Sequence, residues 1–203
     1  MKVPTTYDLK PAFQRMLLPM LGRLKQAGVT PNALTWMAIL LSGGLGYAFV
    51  LGLGQRGWFY TVAAGLLLRM ALNALDGMMA RQFSMTSTAG AVLNELGDVV
   101  SDALVMWPLA LLPGVHAGWV GALLWMSAVN EYAGVLGASV GGERRYEGPM
   151  GKSDRTLVWG VFCLLLGAGV PVEGHVQTGV WVVLVGLCWS TFRRVRAILN
   201  ETP

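Results

Sequence analysis

Residues 73–102 read NALDGMMARQFSMTSTAGAVLNELGDVVSD and place charged side chains inside sequence that is otherwise apolar. The stretch contains four acids and two asparagines, namely Asp76, Glu95, Asp98, Asp102, Asn73 and Asn94. In each half of the stretch these residues recur at every third or fourth position, so on two helices each set lies on one face. Because charge is costly inside a membrane span, such a cluster indicates a functional site.

The sequence around this stretch is typical of a polytopic membrane protein. Apolar residues make up 54% of the 203 residues and charged residues 13%, and the mean hydropathy is +0.54. A soluble domain carries roughly a quarter charged residues, so the composition excludes a soluble globular protein. Apolar runs of about 20 residues predict an all-α fold with six transmembrane helices. They are Pro31–Leu53, Trp58–Met79, Thr88–Leu112, Gly118–Ser139, Thr156–Val170 and Gln177–Ile198.

Lysine and arginine are concentrated at one end of this predicted bundle. Five lie in the N-terminal arm, four in the 140–155 connection and three at the C-terminal end, whereas the connections on the other side contain only Arg56. The positive-inside rule therefore predicts that both termini and the acidic end of the bundle face the cytoplasm, in a membrane of the bacterial inner or plasma type. With a net charge of +4, the chain is expected to contact anionic membrane lipids, and no nucleic-acid partner is expected.

Residues 7–27 predict an amphipathic helix that lies on the membrane surface. Apolar side chains recur there at helical spacing, at Phe13, Met16, Leu17, Met20, Leu21 and Leu24. Arg15, Arg23 and Lys25 supply the cationic residues of such a helix, and the alternative is a buried core helix. The chain is thus predicted to be one domain, residues 1–203, with an interfacial helix at 7–27 and a six-helix bundle at 31–198.

The acids of the opening stretch favour a divalent metal site. Closely packed carboxylates repel one another, and a hard cation with oxygen ligands, Mg²⁺ or Mn²⁺, relieves that repulsion and attracts phosphate groups. The alternative is that the acids pair with Arg69, Arg81 or the bases of 144–155.

The connection between the fourth and fifth predicted spans carries four cations among glycines, namely Arg144, Arg145, Lys152 and Arg155. Such a segment can bind the phosphate of an acceptor or the pyrophosphate of a donor, or it can anchor the chain to anionic headgroups. Asn130, in the fourth span, either faces the same cavity or bonds between helices.

The spacing within residues 73–98 resembles the signature of the CDP-alcohol phosphotransferases, also called CDP-alcohol phosphatidyltransferases. Their pattern is Asp-x2-Asp-Gly-x2-Ala-Arg-x8-Gly-x3-Asp-x3-Asp, and every gap is matched here. The chain reads Asn73-x2-Asp76-Gly77-x2-Ala80-Arg81-x8-Gly90-x3-Asn94-x3-Asp98. The resemblance extends to the six spans, the interfacial helix and the sequence GVTPN at 28–32.

This resemblance implies a reaction in which an acceptor hydroxyl attacks a CDP-linked donor and CMP leaves. CDP-diacylglycerol is the expected donor, and a polyol or polyol phosphate is the expected acceptor, in phospholipid synthesis. By position, Asp76 is a metal ligand and Asp98 a metal ligand and the general base. The CDP site is implied at Asp76, Gly77, Ala80, Arg81 and Gly90, with Mg²⁺ or Mn²⁺ as cofactor. The resemblance also implies a homodimer.

Two signature acids are asparagines in this chain. Asn73 and Asn94 can offer amide oxygens to a metal but no charge. Glu95 and Asp102 restore the local count of acids to four, so we expect them to join the metal ligands. Two alternatives remain: a catalytically degenerate member that binds lipid or nucleotide, and a divalent-cation transporter, which would place acids across the whole membrane depth.

Overall fold

The computed structural model describes residues 10–201, apart from the side chains of Lys10 and Glu173. Within this range the fold is entirely helical, with short connections between seven α-helices. They are α1 (Lys10–Gln26), α2 (Pro31–Gly54), α3 (Gly57–Gln82), α4 (Thr88–Met106), α5 (Ala117–Ser139), α6 (Lys152–Gly167) and α7 (Val176–Glu201). The all-α prediction is confirmed, and helices α2 to α7 correspond one by one to the six predicted segments.

Several helix ends differ from the predicted spans by a few residues, and two of these differences have a local reason. Helix α6 begins at Lys152, four residues before the predicted span, where the Asp154 carboxylate accepts a hydrogen bond of 3.1 Å from the Gly151 backbone N–H. At the other end of the bundle, α4 stops at Met106 and continues as a 3-10 turn, Trp107–Leu111. Pro108 lies in this turn and has no N–H to continue an α-helix.

The first helix packs on the bundle through part of its predicted apolar stripe. Leu17 and Leu21 are buried against α2 and α3, whereas Met16 and Met20 are exposed. Residues 7–9 of the predicted interfacial helix lie outside the described residues. Its position at the membrane surface stays a prediction.

Helix α2 begins with a strong local signal. The Thr30 hydroxyl accepts a hydrogen bond of 3.2 Å from the Ala33 backbone N–H, and Pro31 occupies the first turn, where a missing N–H costs nothing. The helix then packs against both α3 and α4. It therefore holds apart the two helices that carry the acids.

The other helices pack in pairs around this centre. Helix α6 packs against α3, and α7 packs against α5. Residues of both pairs belong to one main core. Within this core the Phe49 ring lies edge-to-face with Phe59 and stacks on Trp159, each at 5.0 Å between ring centroids. Large apolar side chains also cover the outside of the bundle, among them Leu40, Trp125 and Val185, each at least 70% exposed.

This outer surface is suited to lipid rather than to water, and the protein is an integral membrane protein. Helices α2 and α3 are each long and apolar enough to cross a membrane on their own. The apolar sequence of α4 is interrupted by three acids, and α6 has only 16 residues. Neither helix is therefore identified as a membrane span by its own length and composition. The count of six spans stays a prediction.

Candidate active site

The signature residues lie at the end of the bundle where α3 and α4 are connected. Asp76 and Asn94 are each six residues from this connection, about 9 Å along their helices at 1.5 Å per residue. Asn73 and Asp98 are nine and ten residues from it, about 14–15 Å. At the end of the connection, the Ser87 hydroxyl caps the start of α4 by accepting a hydrogen bond of 3.0 Å from the Gly90 backbone N–H. Helix geometry thus brings the signature positions to two matching depths.

Asp76 is buried and is oriented by α2. The Thr35 hydroxyl donates a hydrogen bond of 3.0 Å to the Asp76 Oδ2 atom. Gly97 of α4 lies against the same turn of α2, where a Cβ atom at position 97 would stand 2.9 Å from Ile39 Cδ1. Asp98 lies within electrostatic range of Asp76. Helix α2 therefore sets the distance between the two signature carboxylates, and Thr35 is a site residue that the sequence pattern did not reveal.

Three acids of α4 pair with three cations from residues 144–155, forming what we call the charge ladder. Its partners are Glu95 with Arg144, Asp98 with Lys152, and Asp102 with Arg155. Both α4 and α6 start at the same end of the bundle, so the successive pairs of the charge ladder lie progressively deeper in the bundle. These contacts match the alternative interpretation given above, in which the acids pair with cations such as Arg69 and the bases of 144–155.

The deepest partner, Asp102, belongs to a buried ion network. Its two carboxylate oxygens accept hydrogen bonds of 2.6 Å from Arg69 and 2.6 Å from Arg155, and Arg155 also contacts Glu131 at 3.1 Å. Arg69 and Arg155 are 2% exposed and Asp102 is 4% exposed. Two buried cations are thus balanced by two carboxylates. Asp102 joins helices rather than adding a free carboxylate to the site.

Arg144, which lies in the connection between α5 and α6, remains charged despite partial burial. Burial acts to lower its pKa, but the carboxylates of Glu95 and Glu131 outweigh this effect and hold the Arg144 pKa above its ordinary value. The nearest Glu131 oxygen is 3.8 Å away. Arg144 is therefore a permanent cation at the mouth of the site.

The carboxylates do not gather into one cluster. Within residues 10–201, no three Asp, Glu, His or Cys side chains are grouped closely enough to hold a metal ion, since the acids of α4 are each paired with a cation. Among the described residues Glu95 and Asp102 are therefore not grouped with Asp76 and Asp98, and their role as metal ligands stays a prediction. The signature positions offer two carboxylates, of which Asp98 is paired with Lys152, and the half-buried amides of Asn73 and Asn94, all hard oxygen donors. That donor set fits one divalent cation.

The positions expected to line the CDP site lie at the same end of the bundle. The Arg81 guanidinium folds back over Gly77, where an added Cβ atom would stand 3.3 Å from Arg81 Nη1. An added Cβ at Gly90 would stand 2.8 Å from the Asn32 side-chain oxygen, so a larger residue there would displace the Asn32 side chain. Ala80 is half-buried one helical turn from Gly77. Beside Arg81 an open cavity of about 480 Å³ reaches Arg15 of α1.

Two of the residues expected to bind the acceptor are occupied elsewhere. Arg145 pairs with Glu147 at 3.3 Å and with Glu201, near the end of α7. The Asn130 Oδ1 atom accepts a hydrogen bond of 3.3 Å from the Thr191 hydroxyl. This contact corresponds to the expected alternative in which Asn130 forms a hydrogen bond between helices. Asn130 is fully buried, and its side-chain nitrogen has no hydrogen-bond partner among residues 10–201.

Arg194 is a buried residue that the sequence did not single out. It belongs to the basic residues at the C-terminal end, whose positions the positive-inside rule accounts for. It is 3% exposed and donates a hydrogen bond to the Asn130 backbone carbonyl oxygen. No carboxylate of the described residues forms an ion pair with it. Its spacing from the buried residues Leu187 and Ser190, at seven and four positions, is the helical signal that places it inward.

Comparisons with known proteins identify the family of the chain. The family model for CDP-alcohol phosphatidyltransferase matches residues 28–192. The inner membrane protein YnbA of Escherichia coli is 37% identical over 96% of this chain and 96% of its own length. The phosphatidylinositol phosphate synthase of Streptomyces avermitilis is 28% identical, over 94% of this chain and 80% of its own length.

Solved structures share the fold. The crystal structure of the Mycobacterium tuberculosis phosphatidylinositol phosphate synthase with CDP-DAG bound has a TM-score of 0.67 and 22% identity, covering 91% of this chain and 94% of its own. The same protein in complex with manganese and citrate has a TM-score of 0.66 and 21% identity, covering 90% and 88%. At this identity the likeness shows the arrangement of helices.

Proposed function

Because the chain belongs to the CDP-alcohol phosphatidyltransferase family and is a phosphotransferase, we propose that it transfers a phosphatidyl group from CDP-diacylglycerol to a hydroxyl of a polyol phosphate. The acceptor oxygen forms the new bond to phosphorus, the bond between that phosphorus and the CMP oxygen breaks, and the hydroxyl proton goes to a carboxylate. The contact between Lys152 and Asp98 carries this proposal, because it joins the basic connection to the last carboxylate of the signature.

In this proposal Asp98 receives the proton from the acceptor hydroxyl. Thr35 fixes the orientation of Asp76, and α2 fixes the distance between the two carboxylates. CDP-alcohol phosphatidyltransferases use divalent metals such as Mg²⁺ or Mn²⁺. Asp76 and Asp98, with the amides of Asn73 and Asn94, would hold the ion, which neutralises charge on the pyrophosphate.

A phosphorylated acceptor is supported by the cations of the site. Arg144 and Lys152 pair with acids that are partly exposed, and the buried Arg194 has no ion pair within the described chain. An anion carrying two charges would balance these groups better than a neutral polyol. Two relatives are named phosphatidylinositol phosphate synthase and archaetidylinositol phosphate synthase, so an inositol phosphate is the first acceptor to try. We also propose a site for CDP at Gly77, Ala80, Arg81 and Gly90.

The site end of the bundle is proposed to face the cytoplasm, with both termini, because lysine and arginine are concentrated there. This orientation gives the water-soluble acceptor and CMP direct access. The homodimer expected from the resemblance stays a prediction.

The test is CMP release by the purified full chain in detergent, with CDP-diacylglycerol and Mg²⁺ or Mn²⁺. The acceptor panel pairs each polyol with its phosphate: inositol with inositol phosphate, and glycerol with glycerol 3-phosphate. We expect metal-dependent release with a phosphorylated acceptor, lost in Asp98→Asn and kept in Glu143→Gln. Glu143 is an exposed acid in the neighbouring connection.

Two results would contradict the proposal. Release with the neutral polyols alone would disprove the phosphorylated acceptor. Binding of CDP-diacylglycerol without release of CMP, for any acceptor and by a folded protein, would indicate a member that binds the donor without turnover.

A further inference from the structure

A narrow apolar cleft runs between α6 and α7 and has a volume of about 260 Å³. It extends from Arg155, near the start of α6, to the connection before α7. The apolar residues that form most of its walls include Val158, Phe162, Val172, Val176, Val180 and Val183. Among the described residues that line it, the ionisable side chains are Arg155 and His175, one toward each end.

The cleft exists because its two walls belong to different helix pairs. Helix α6 packs against α3, and α7 packs against α5. Gly179 contributes to the open side of the cleft, where a Cβ atom built on it would meet no heavy atom within 4 Å. At Gly179 the described residues therefore leave the space between α6 and α7 open to the outside of the bundle.

Water does not suit this space, because apolar cavities stay dry and accept hydrocarbon instead. The volume exceeds the roughly 150 Å³ of an engineered cavity that binds benzene. A flexible hydrocarbon chain can follow the shape of such a cleft along its length, whereas a helix about 10 Å wide would enter it only with side chains.

We propose that the cleft binds one acyl chain of a membrane phospholipid. The bilayer supplies such chains at the open side, and burying them against valine and phenylalanine completes the packing that α6 and α7 lack. The bound chain ends beside Arg155, whose guanidinium holds Asp102 and Glu131. This lipid site is separate from the carboxylates of the candidate active site and does not depend on the proposed reaction.

Trp159 offers a reporter for the cleft. It lines the cleft, is only 5% exposed, and is stacked between Phe49 and Phe162 with ring centroids 5.0 and 5.2 Å away. A quencher on an acyl chain therefore reaches this ring through the cleft. Its fluorescence is isolated from that of the other seven tryptophans as the difference between the parent protein and Trp159→Phe.

The experiment uses the full chain in vesicles of phosphatidylcholine, with and without bromine atoms in the middle of the acyl chains. We expect brominated lipid to quench Trp159, and Gly179→Phe, which fills the cleft, to lose most of that quenching. The matched control is Gly121→Phe. Gly121 is the fifth residue of α5 and Gly179 the fourth of α7, at the same end of the bundle, and neither has a heavy atom within 4 Å of an added Cβ.

Two outcomes overturn the proposal: no quenching of Trp159 in the parent protein, or equal quenching in Gly179→Phe and Gly121→Phe. If Gly179→Phe does not fold, Val183→Phe narrows the cleft from the same wall and is measured in the same way. A matched loss of quenching in Val183→Phe supports the acyl-chain site, and retained quenching refutes it.

Discussion

Replacing Asp102 by alanine tests whether this acid maintains the fold or binds the metal. Asp102 accepts hydrogen bonds of 2.6 Å from both Arg69 and Arg155, and all three side chains are buried. Within the described chain, Arg69 has no second carboxylate in ion-pair range. The substitution leaves two buried arginines with Glu131 alone, a net charge of +1 where the intact network is neutral.

Removing one partner of a buried ion pair costs about 3–5 kcal/mol, because the charge that remains is desolvated and uncompensated. For a protein of this size, 1 kcal/mol corresponds to a change in the unfolding temperature of about 2–4 °C. We therefore expect Asp102→Ala to unfold at a temperature lower by roughly 6–20 °C than the parent protein.

The assay follows thermal unfolding in detergent with a thiol-reactive fluorophore. Cys163 is fully buried and becomes reactive on unfolding, and the exposed Cys188 is first replaced by serine. The control is Glu201→Ala, since Glu201 also pairs with an arginine but is half exposed, and its loss is expected to cost less than about 1 kcal/mol.

A second variant separates charge from shape. Combining Asp102→Ala with Arg69→Met removes one uncompensated cation, so we expect the double variant to recover part of the lost stability. The reasoning is refuted if Asp102→Ala melts like the parent protein while its affinity for Mn²⁺ falls. That result would make Asp102 a metal ligand, as the sequence pattern suggested.

Three further predictions concern the site and its support. Thr35→Val removes the hydrogen bond to Asp76, which is worth about 1 kcal/mol, so kcat/KM for CMP release should fall roughly fivefold. Thr35→Ser keeps the hydroxyl and should retain activity. Equal activity in the two variants would show that this hydrogen bond is dispensable. Gly97→Ala brings a Cβ atom to 2.9 Å from Ile39 Cδ1 and should lower stability by about 1–3 kcal/mol in the thiol assay, whereas Gly121→Ala should change it little. Chelation by EDTA should abolish CMP release, and titration with Mn²⁺ should restore it. We expect a stoichiometry near one ion per chain if Asp76 and Asp98 are the two carboxylate ligands. Two equivalent ions per chain would contradict this set of ligands.

Local signals in the sequence were sufficient to locate the helices. The apolar runs predicted α2 to α7, and the first run was predicted to start at Pro31, where α2 begins after the cap formed by Thr30. Such signals act within one or two helical turns, so they need no knowledge of packing. The Asp154 cap is another local signal, and it extends α6 four residues beyond the predicted span.

The sequence also determined that the signature residues lie at one end of the bundle. Asp76 and Asp98 stand at fixed distances from the connection between α3 and α4, and helix geometry carries them to one end whatever the packing. The family signature rests on the same spacing. Neither inference required a contact between helices.

Only the tertiary structure decided which partner each carboxylate has. Asp102 meets Arg69 and Arg155, which are 33 and 53 positions away, and Thr35 meets Asp76 across 41 positions. Spacing along the chain shows that charges share a helix face, but the rotation and neighbours of each helix determine their partners. The cleft beside α7 arises in the same way, since it depends on which helices pack together and not on any motif.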